Sequence, residues 1–206
     1  MVNENIEIMF MRHGRSRADD EEVHEGRYDA PLTDVGRAQV ERRAAKLKET
    51  KISFDAIIAS PLRRAHETAR IISNALHIGV ELDEDWMEKD NGPLAGLPYH
   101  VASVRYPIPA FQNPFQPHVV SAGEGESTWS FHSRAARALE RVIRRGAGSY
   151  LVVAHGGILN AAMGCIAGAQ PTVSGQGVTF SFGDTGYITT AYNPDRHHWV
   201  VRELVR

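Results

Sequence analysis

Two apolar runs constrain this chain more than any other feature. IEIMFM (Ile6–Met11) and LVVA (Leu151–Ala154) are short and almost uniformly apolar. Each stops at a His-Gly pair, His13-Gly14 after Arg12 and His155-Gly156 directly. A strand with one wet face alternates in polarity, whereas a strand that is apolar throughout is buried on both faces, as when helices cover a parallel sheet from each side. DAIIAS (Asp55–Ser60) is another such run, and VELDEDWM (Val80–Met87) reads as a partly alternating strand. Helices are expected between them: Val35–Glu49, capped by Thr33 or Asp34; Ser60-Pro61 to Leu76, with Ser60 as cap and Pro61 in the first turn; Glu126–Arg145; and Ile158–Ala167. Asp19–Glu25 reads as loop, and VTFSFG, YITTAY and HWVVREL read as strands of a C-terminal meander. The alternation predicts an α/β fold, a three-layer α/β/α sandwich with a mostly parallel central sheet.

The 206 residues fit one domain spanning 1–206. Residues 92–124 are rich in Pro and Gly, with a short helix expected near His100–Tyr106, and read as a lid-like insertion rather than a linker. The balance of 23 Lys+Arg against 25 Asp+Glu, a net charge of −2, argues against a polyanion binder, so no nucleic-acid partner is expected. One Cys excludes an internal disulfide and a Cys-based zinc cluster, and suits a reducing, cytoplasmic setting. The start, MVNENIEIMF, lacks the basic region of a signal peptide. The longest apolar stretch, Tyr150–Ala169, carries His155, Asn160 and Gly156-Gly157 and reads as a strand entering a helix, so no membrane partner is expected. Oligomeric state is not legible in the sequence. Cys165 and the tryptophans Trp86, Trp129 and Trp199 read as core.

Sites in open α/β sheets lie beyond the carboxyl ends of strands. His13 and His155 both fall there, each followed by a Gly that lets another group approach the backbone. Arg12 precedes His13, and Arg63 and Arg64 lie at the start of the helix after the second strand. Two His with fixed guanidinium charges make an oxyanion site, with phosphate as the leading candidate. Only one of Arg63 and Arg64 can face it, because adjacent helical residues do not share a face. A metal site fits less well: no HExxH occurs, His24-Glu25 and His197-His198 lack partners at ligand spacing, and Arg12 would repel a dication.

With these residues in view, the chain resembles the histidine phosphatase superfamily, which includes the cofactor-dependent phosphoglycerate mutases. Six segments in the family order carry the resemblance: Met11–Ser16 (MRHGRS), Asp29–Gly36 (DAPLTDVG), Ser60–Ala69 (SPLRRAHETA), Met87–Leu97 (MEKDNGPLAGL), Gly125-Glu126-Ser127 and Val153–Gly157 (VAHGG). The resemblance implies a phosphoglycerate mutase-like fold and, residue by residue, His13 as the nucleophile, Glu88 as acid/base, and Arg12, Arg64 and His155 completing the catalytic set. Phosphate would be bound by Arg12, His13, Ser16, Arg64, His155 and Gly156, with no metal and no cofactor.

The chain also departs from the pattern. Asp19 replaces a frequent Asn, and Glu25 stands where the mutases carry a small hydroxyl residue facing the substrate. An anion at Glu25 disfavours a phosphoglycerate. The region between Glu88 and Gly125 is short, with Arg105, His100 and His118 as its basic groups, while Tyr99, Tyr106, Phe111 and Phe115 suit a partly apolar leaving group or pack the loop. His24, His100 and His118 could line the entrance. The resemblance therefore implies a metal-independent phosphatase acting on a small phosphorylated metabolite through phosphohistidine. The alternatives are a phosphoglycerate mutase and a non-catalytic phosphate- or phosphoprotein-binding module.

Overall fold

The computed structural model describes residues 5–108, 113, 116, 117, 119, 124–171 and 177–206. Six strands form one sheet: β1 (Ile6–Arg12), β2 (Ala56–Ala59), β3 (Val80–Leu82), β4 (Gly148–Ala154), β5 (Tyr187–Asn193) and β6 (His198–Val205). Their order is β3-β2-β4-β1-β5-β6. The first four in that order run parallel, and β5 and β6 extend the β1 side antiparallel. The helices are α1 (Arg17–Glu21), α2 (Asp34–Glu49), α3 (Arg63–Leu76), α4 (Tyr99–Arg105), α5 (Thr128–Ile143) and α6 (Gly156–Ile166).

The two-sided burial follows from the period of two along each strand. Ile6, Ile8, Phe10, Ile58, Val152 and Ala154 pack with Ala135, Ala138 and Leu139 of α5 and with Ile158, Leu159 and Met163 of α6. The intervening Met9, Met11, Ile57, Leu151 and Val153 pack on the other side with Val40, Ala44 and Leu47 of α2 and Ala65, Ala69 and Ile72 of α3. The sheet is thus covered on both faces, as expected, although it is mixed rather than wholly parallel.

This arrangement opens a crevice. β1 and β4 are parallel neighbours, paired from Ile6↔Gly148 to Arg12↔Ala154. The chain leaves β1 for α2 on one face and leaves β4 for α6 on the other. Neighbouring strands whose connections part to opposite faces leave a gap beyond their carboxyl ends. His13 and His155 stand at that gap.

Several local expectations are corrected. The Asp19–Glu25 loop contains α1, entered by Ser16, whose N–H donates to Asp19 Oδ2 at 2.7 Å. β3 ends at Leu82, because Asp83 accepts from Asp85 N–H at 2.9 Å and turns the chain into a 3-10 helix, Glu84–Trp86. α3 begins at Arg63, with Leu62 and not Ser60 in the cap position. VTFSFG is not a strand: Asn160 takes its backbone bonds, accepting from Phe180 N–H at 2.7 Å and donating to Phe180 O at 3.0 Å. Thr33 caps α2 by accepting from Gly36 N–H at 3.0 Å. Trp86 is buried and Trp199 packs against the core, but Trp129 is exposed. Cys165 packs in α6 beside His132, and burial pushes its thiol up to about 11. Of the lid-like segment, the 3-10 turn Gly92–Leu94 and α4 are described, whereas the calls on Phe111, Phe115 and His118 lie outside the described residues. Among the described residues no helix is long and apolar enough to cross a membrane.

Candidate active site

His13 follows β1 and is fully buried. Its Nδ1 lies 2.7 Å from the Gly14 carbonyl oxygen. A carbonyl only accepts, so Nδ1 carries the proton and the neutral ring presents its lone pair at Nε2. Arg64 Nε donates to that Nε2 at 3.2 Å. Burial first, then the positive charges of Arg64 and Arg12, holds His13 well below the ordinary histidine pKa. The ring is a neutral base with one exposed function, a lone pair facing a guanidinium.

Gly14 is required at this bend. A Cβ there would meet the Gly36 carbonyl at 2.7 Å and Val40 Cγ2 at 2.9 Å, so the chain could not pass so close to the first turn of α2. Gly14 N–H donates to Thr68 Oγ1 at 3.2 Å, tying the strand end to α3.

Arg64 is the arginine of α3 that turns inward, and it is fully buried. Its guanidinium also donates to Tyr28 O at 2.8 Å and to Gly26 O at 2.9 Å. Arg63 is exposed, and its backbone N–H donates to Asp29 Oδ1 at 2.6 Å. Arg12 is partly exposed, donates to Phe182 O at 3.3 Å, and pairs with Asp19 and Asp184, each at 3.5 Å. Asp19 is therefore next to the pocket and compensated by Arg12. Arg15 and Arg17 are engaged instead with Asp20 and Glu21.

His155 is the N-cap residue of α6 and is fully buried, its ring centroid 5.1 Å from that of His13. Its Nε2 lies 2.8 Å from Ser60 Oγ, and its Nδ1 has no hydrogen-bond partner. Burial, then Arg64 and His13, depresses its pKa well below the ordinary value. Ser60, expected as a helix cap, thus serves as the partner of the second histidine. Gly156 opens α6 with free space where a Cβ would be.

Glu88 reaches the same crevice. Its Oε2 accepts from Gly157 N–H in the first turn of α6, and its Oε1 accepts from Lys89 N–H, both at 2.8 Å. A methyl group on Gly157 would fall 2.9 Å from Glu88 Cδ, so glycine is needed for the carboxylate to sit there. Burial of the carboxyl group raises its pKa, opposed by the two backbone N–H groups and by Arg64. Glu25 also enters the site, with Oε2 at 3.8 Å from His13 Nε2 and Oε1 at 3.5 Å from Arg64 Nε. Ser16 Oγ bonds to Glu25 and, at 3.0 Å, to Asp19. The structure thus brings together Arg12, His13, Ser16, Arg64, Glu88 and His155.

The segment that carries Glu88 is held by a pair that sequence reasoning missed. Arg134 of α5 is buried, whereas Arg137 and Arg141 on the same helix are exposed. It makes a two-pronged bond to Glu126, at 2.9 and 2.6 Å. It also donates to the carbonyls of Asp85 at 2.9 Å, Met87 at 2.6 Å and Glu88 at 3.1 Å. Glu126 in turn accepts from Asp90 N–H at 3.3 Å. The pair fixes the backbone on both sides of Glu88.

Two outcomes are expected. Arg134→Ala strands the Glu126 carboxylate and three carbonyls, and should cost about 3–5 kcal/mol in urea unfolding. The buried histidines set a pH dependence. Their folded pKa values lie below the unfolded value of 6.5. Above that value neither state takes the proton; below it the unfolded chain does and the folded chain does not. Stability should therefore fall on acidification by about 1.4 kcal/mol per pH unit for each histidine. His13→Gln should reduce that slope by about half in urea titrations below pH about 6.5.

With this geometry in place, comparison with known proteins is informative. The sequence profile of the histidine phosphatase superfamily (branch 1) matches residues 8–203. The chain is 37% identical over 158 residues to phosphoglycerate mutase-like protein 4 of Arabidopsis thaliana, covering 74% of this chain and 67% of that protein. It is 28% identical over 165 residues to the uncharacterized phosphatase PhoE of Bacillus subtilis (strain 168), covering 80% of this chain and 79% of that protein. Among solved structures, YhfR of Bacillus stearothermophilus superposes with a TM-score of 0.82 at 25% identity, covering 95% of each chain. The two strand-end histidines therefore stand on a known scaffold, and the chain belongs to the histidine phosphatase superfamily.

Proposed function

We propose that this chain is a metal-independent phosphatase that hydrolyses small phosphomonoesters through a phosphohistidine on His13. The observation that carries the reading is the fixed orientation of that ring. With Nδ1–H donated to Gly14 O and Arg64 directed at Nε2, the neutral imidazole offers a nucleophile beside a charge that can hold a phosphoryl oxygen.

In the proposed reaction, Arg12, Arg64, Ser16, His155 and the first backbone groups of α6 at Gly156 bind the phosphoryl oxygens. His155 Nδ1, buried without a partner, donates its N–H to one of them when Nε2 accepts from the Ser60 hydroxyl. Arg64 Nε–H gives up its bond to Nε2 and turns to a phosphoryl oxygen; the freed Nε2 lone pair attacks phosphorus, and the phosphorus–oxygen bond to the leaving group breaks. Glu88, whose raised pKa favours the protonated form, gives its proton to the departing oxygen. A water then attacks phosphohistidine and yields a proton to Glu88. The nitrogen–phosphorus bond breaks, returning the lone pair to Nε2 and releasing phosphate. Charge on the equatorial oxygens is met by fixed guanidinium groups, the main requirement of phosphoryl transfer. No step in this scheme calls for a metal.

A phosphatase is favoured over a mutase because a mutase must also hold a carboxylate and a bisphosphate. Glu25 puts an anion in the pocket, and Arg105 of α4 is exposed. In this reading the chain is one domain, and segment 92–124 is its lid over a small phosphorylated metabolite.

The test is steady-state hydrolysis of aryl and alkyl phosphates in EDTA. Wild type should turn over, and His13→Ala should lose at least about 10³-fold in kcat/KM. Glu88→Gln should lose about 10²-fold or more on alkyl esters, whose leaving group needs a proton, and less on aryl esters. Unchanged hydrolysis by His13→Ala would defeat the mechanism.

A further inference from the structure

Glu25 has no place in the chemistry just proposed, yet its carboxylate lies among the groups that would receive phosphate. Oε2 is 3.8 Å from His13 Nε2, Oε1 is 3.5 Å from Arg64 Nε, and Oε1 is bonded to Ser16 Oγ. A phosphorus atom placed for attack stands about 3–3.5 Å from the nucleophile. Its oxygens then fall in the shell around Nε2 where Glu25 Oε2 already lies. Two anions would also face each other beside the fully buried His13 and Arg64, where unit charges repel strongly.

We propose that Glu25 is an internal occupant of the phosphate cradle, a carboxylate that competes with the incoming phosphoryl group for Arg64 and Ser16. The proposal rests on the reading above for the identity of the cradle, and it makes Glu25 the residue that sets phosphate affinity. Phosphate enters when the Glu25 side chain leaves.

The groups around Glu25 support competition over a merely structural role. From β1 come Arg12 and His13, and from α3 comes Arg64. From the α1 segment come Ser16 and Asp19, and Asp19 already takes the Ser16 backbone N–H at 2.7 Å. The single Ser16 hydroxyl proton faces Asp19 and Glu25 together, so a phosphoryl oxygen would be a third acceptor for one donor. From the segment before α4 comes Glu88, and from α4 comes Tyr99; the Glu25 charge raises the pKa of both. Arg64 does not depend on Glu25 for its place, because Gly26 O and Tyr28 O hold the guanidinium from behind. The carboxylate can therefore depart without leaving Arg64 loose.

The experiment measures the dissociation constant of inorganic phosphate by titration calorimetry, using the full chain in EDTA at constant ionic strength. Wild type, Glu25→Gln and Glu25→Ala are compared at about pH 8. Both variants should bind phosphate about tenfold tighter or more. Equal or weaker binding by variants with wild-type circular dichroism, or no binding by any of the three, would each overturn the proposal. Failure of the phosphatase reading is separate: it appears as absent hydrolysis, while the binding ratio still reports whether Glu25 competes.

Discussion

The contact between Arg64 Nε and His13 Nε2 organises the rest of this molecule. A fully buried guanidinium is costly unless its donors are satisfied. Here they are met by the carbonyls of Gly26 and Tyr28, by the lone pair of a histidine and by the nearby Glu25. Every one of these partners requires structure elsewhere. His13 is placed by β1, Arg64 by the first turn of α3, and Gly26 and Tyr28 by the loop after α1. Burial first, and then Arg64 as the leading charge, favour the neutral form of both His13 and His155.

The remaining functional groups reach the crevice by distinct routes. His155 arrives with β4, paired in parallel with β1, and Ser60 at the end of β2 orients its ring. Glu88 arrives on an irregular segment that no sheet hydrogen bonds hold, so its position depends on Arg134 and Glu126. That pair lies across the segment from the side of α5 and converts loop backbone into a fixed support. The α6 N-terminus then supplies Gly157 N–H to the carboxylate, partly offsetting the effect of burial. An acid/base group needs such opposing influences, because one that is fully ionised or fully neutral at working pH cannot exchange a proton.

Much of this was legible in the sequence, for identifiable physical reasons. Strands buried on both faces carry few polar residues, so β1, β2 and β4 stand out as almost uniformly apolar runs, and the residues at which they stop mark the crevice. Adjacent helical residues diverge, so only one of Arg63 and Arg64 could face the site, and the resemblance to the family motif picked out Arg64. What escaped detection depended on partners distant in sequence. Ser60-Pro61 has the local form of a helix start, but its hydroxyl is used by His155. Arg134 is one of five arginines in the α5 region and lies at the rim of the buried stripe, one turn before Ala138; Glu126 and the backbone of Asp85, Met87 and Glu88, all distant in sequence or in the loop before α5, draw it inward. VTFSFG alternates like a strand, yet Asn160 takes both backbone groups of Phe180. Glu25 and Asp19 were visible as departures from the family pattern. That Glu25 reaches Arg64 and Ser16 could be read only from the fold.

The central claim is that His13 takes the phosphoryl group on the nitrogen facing Arg64. The most direct measurement is to denature the enzyme in alkali during turnover of a phosphomonoester and determine by phosphorus NMR and mass spectrometry which atom is phosphorylated. The account predicts phosphate on His13 Nε2, because Nδ1 is committed to the Gly14 carbonyl. Phosphate on Nδ1, on another residue, or on no residue of an enzyme that is turning over would contradict it.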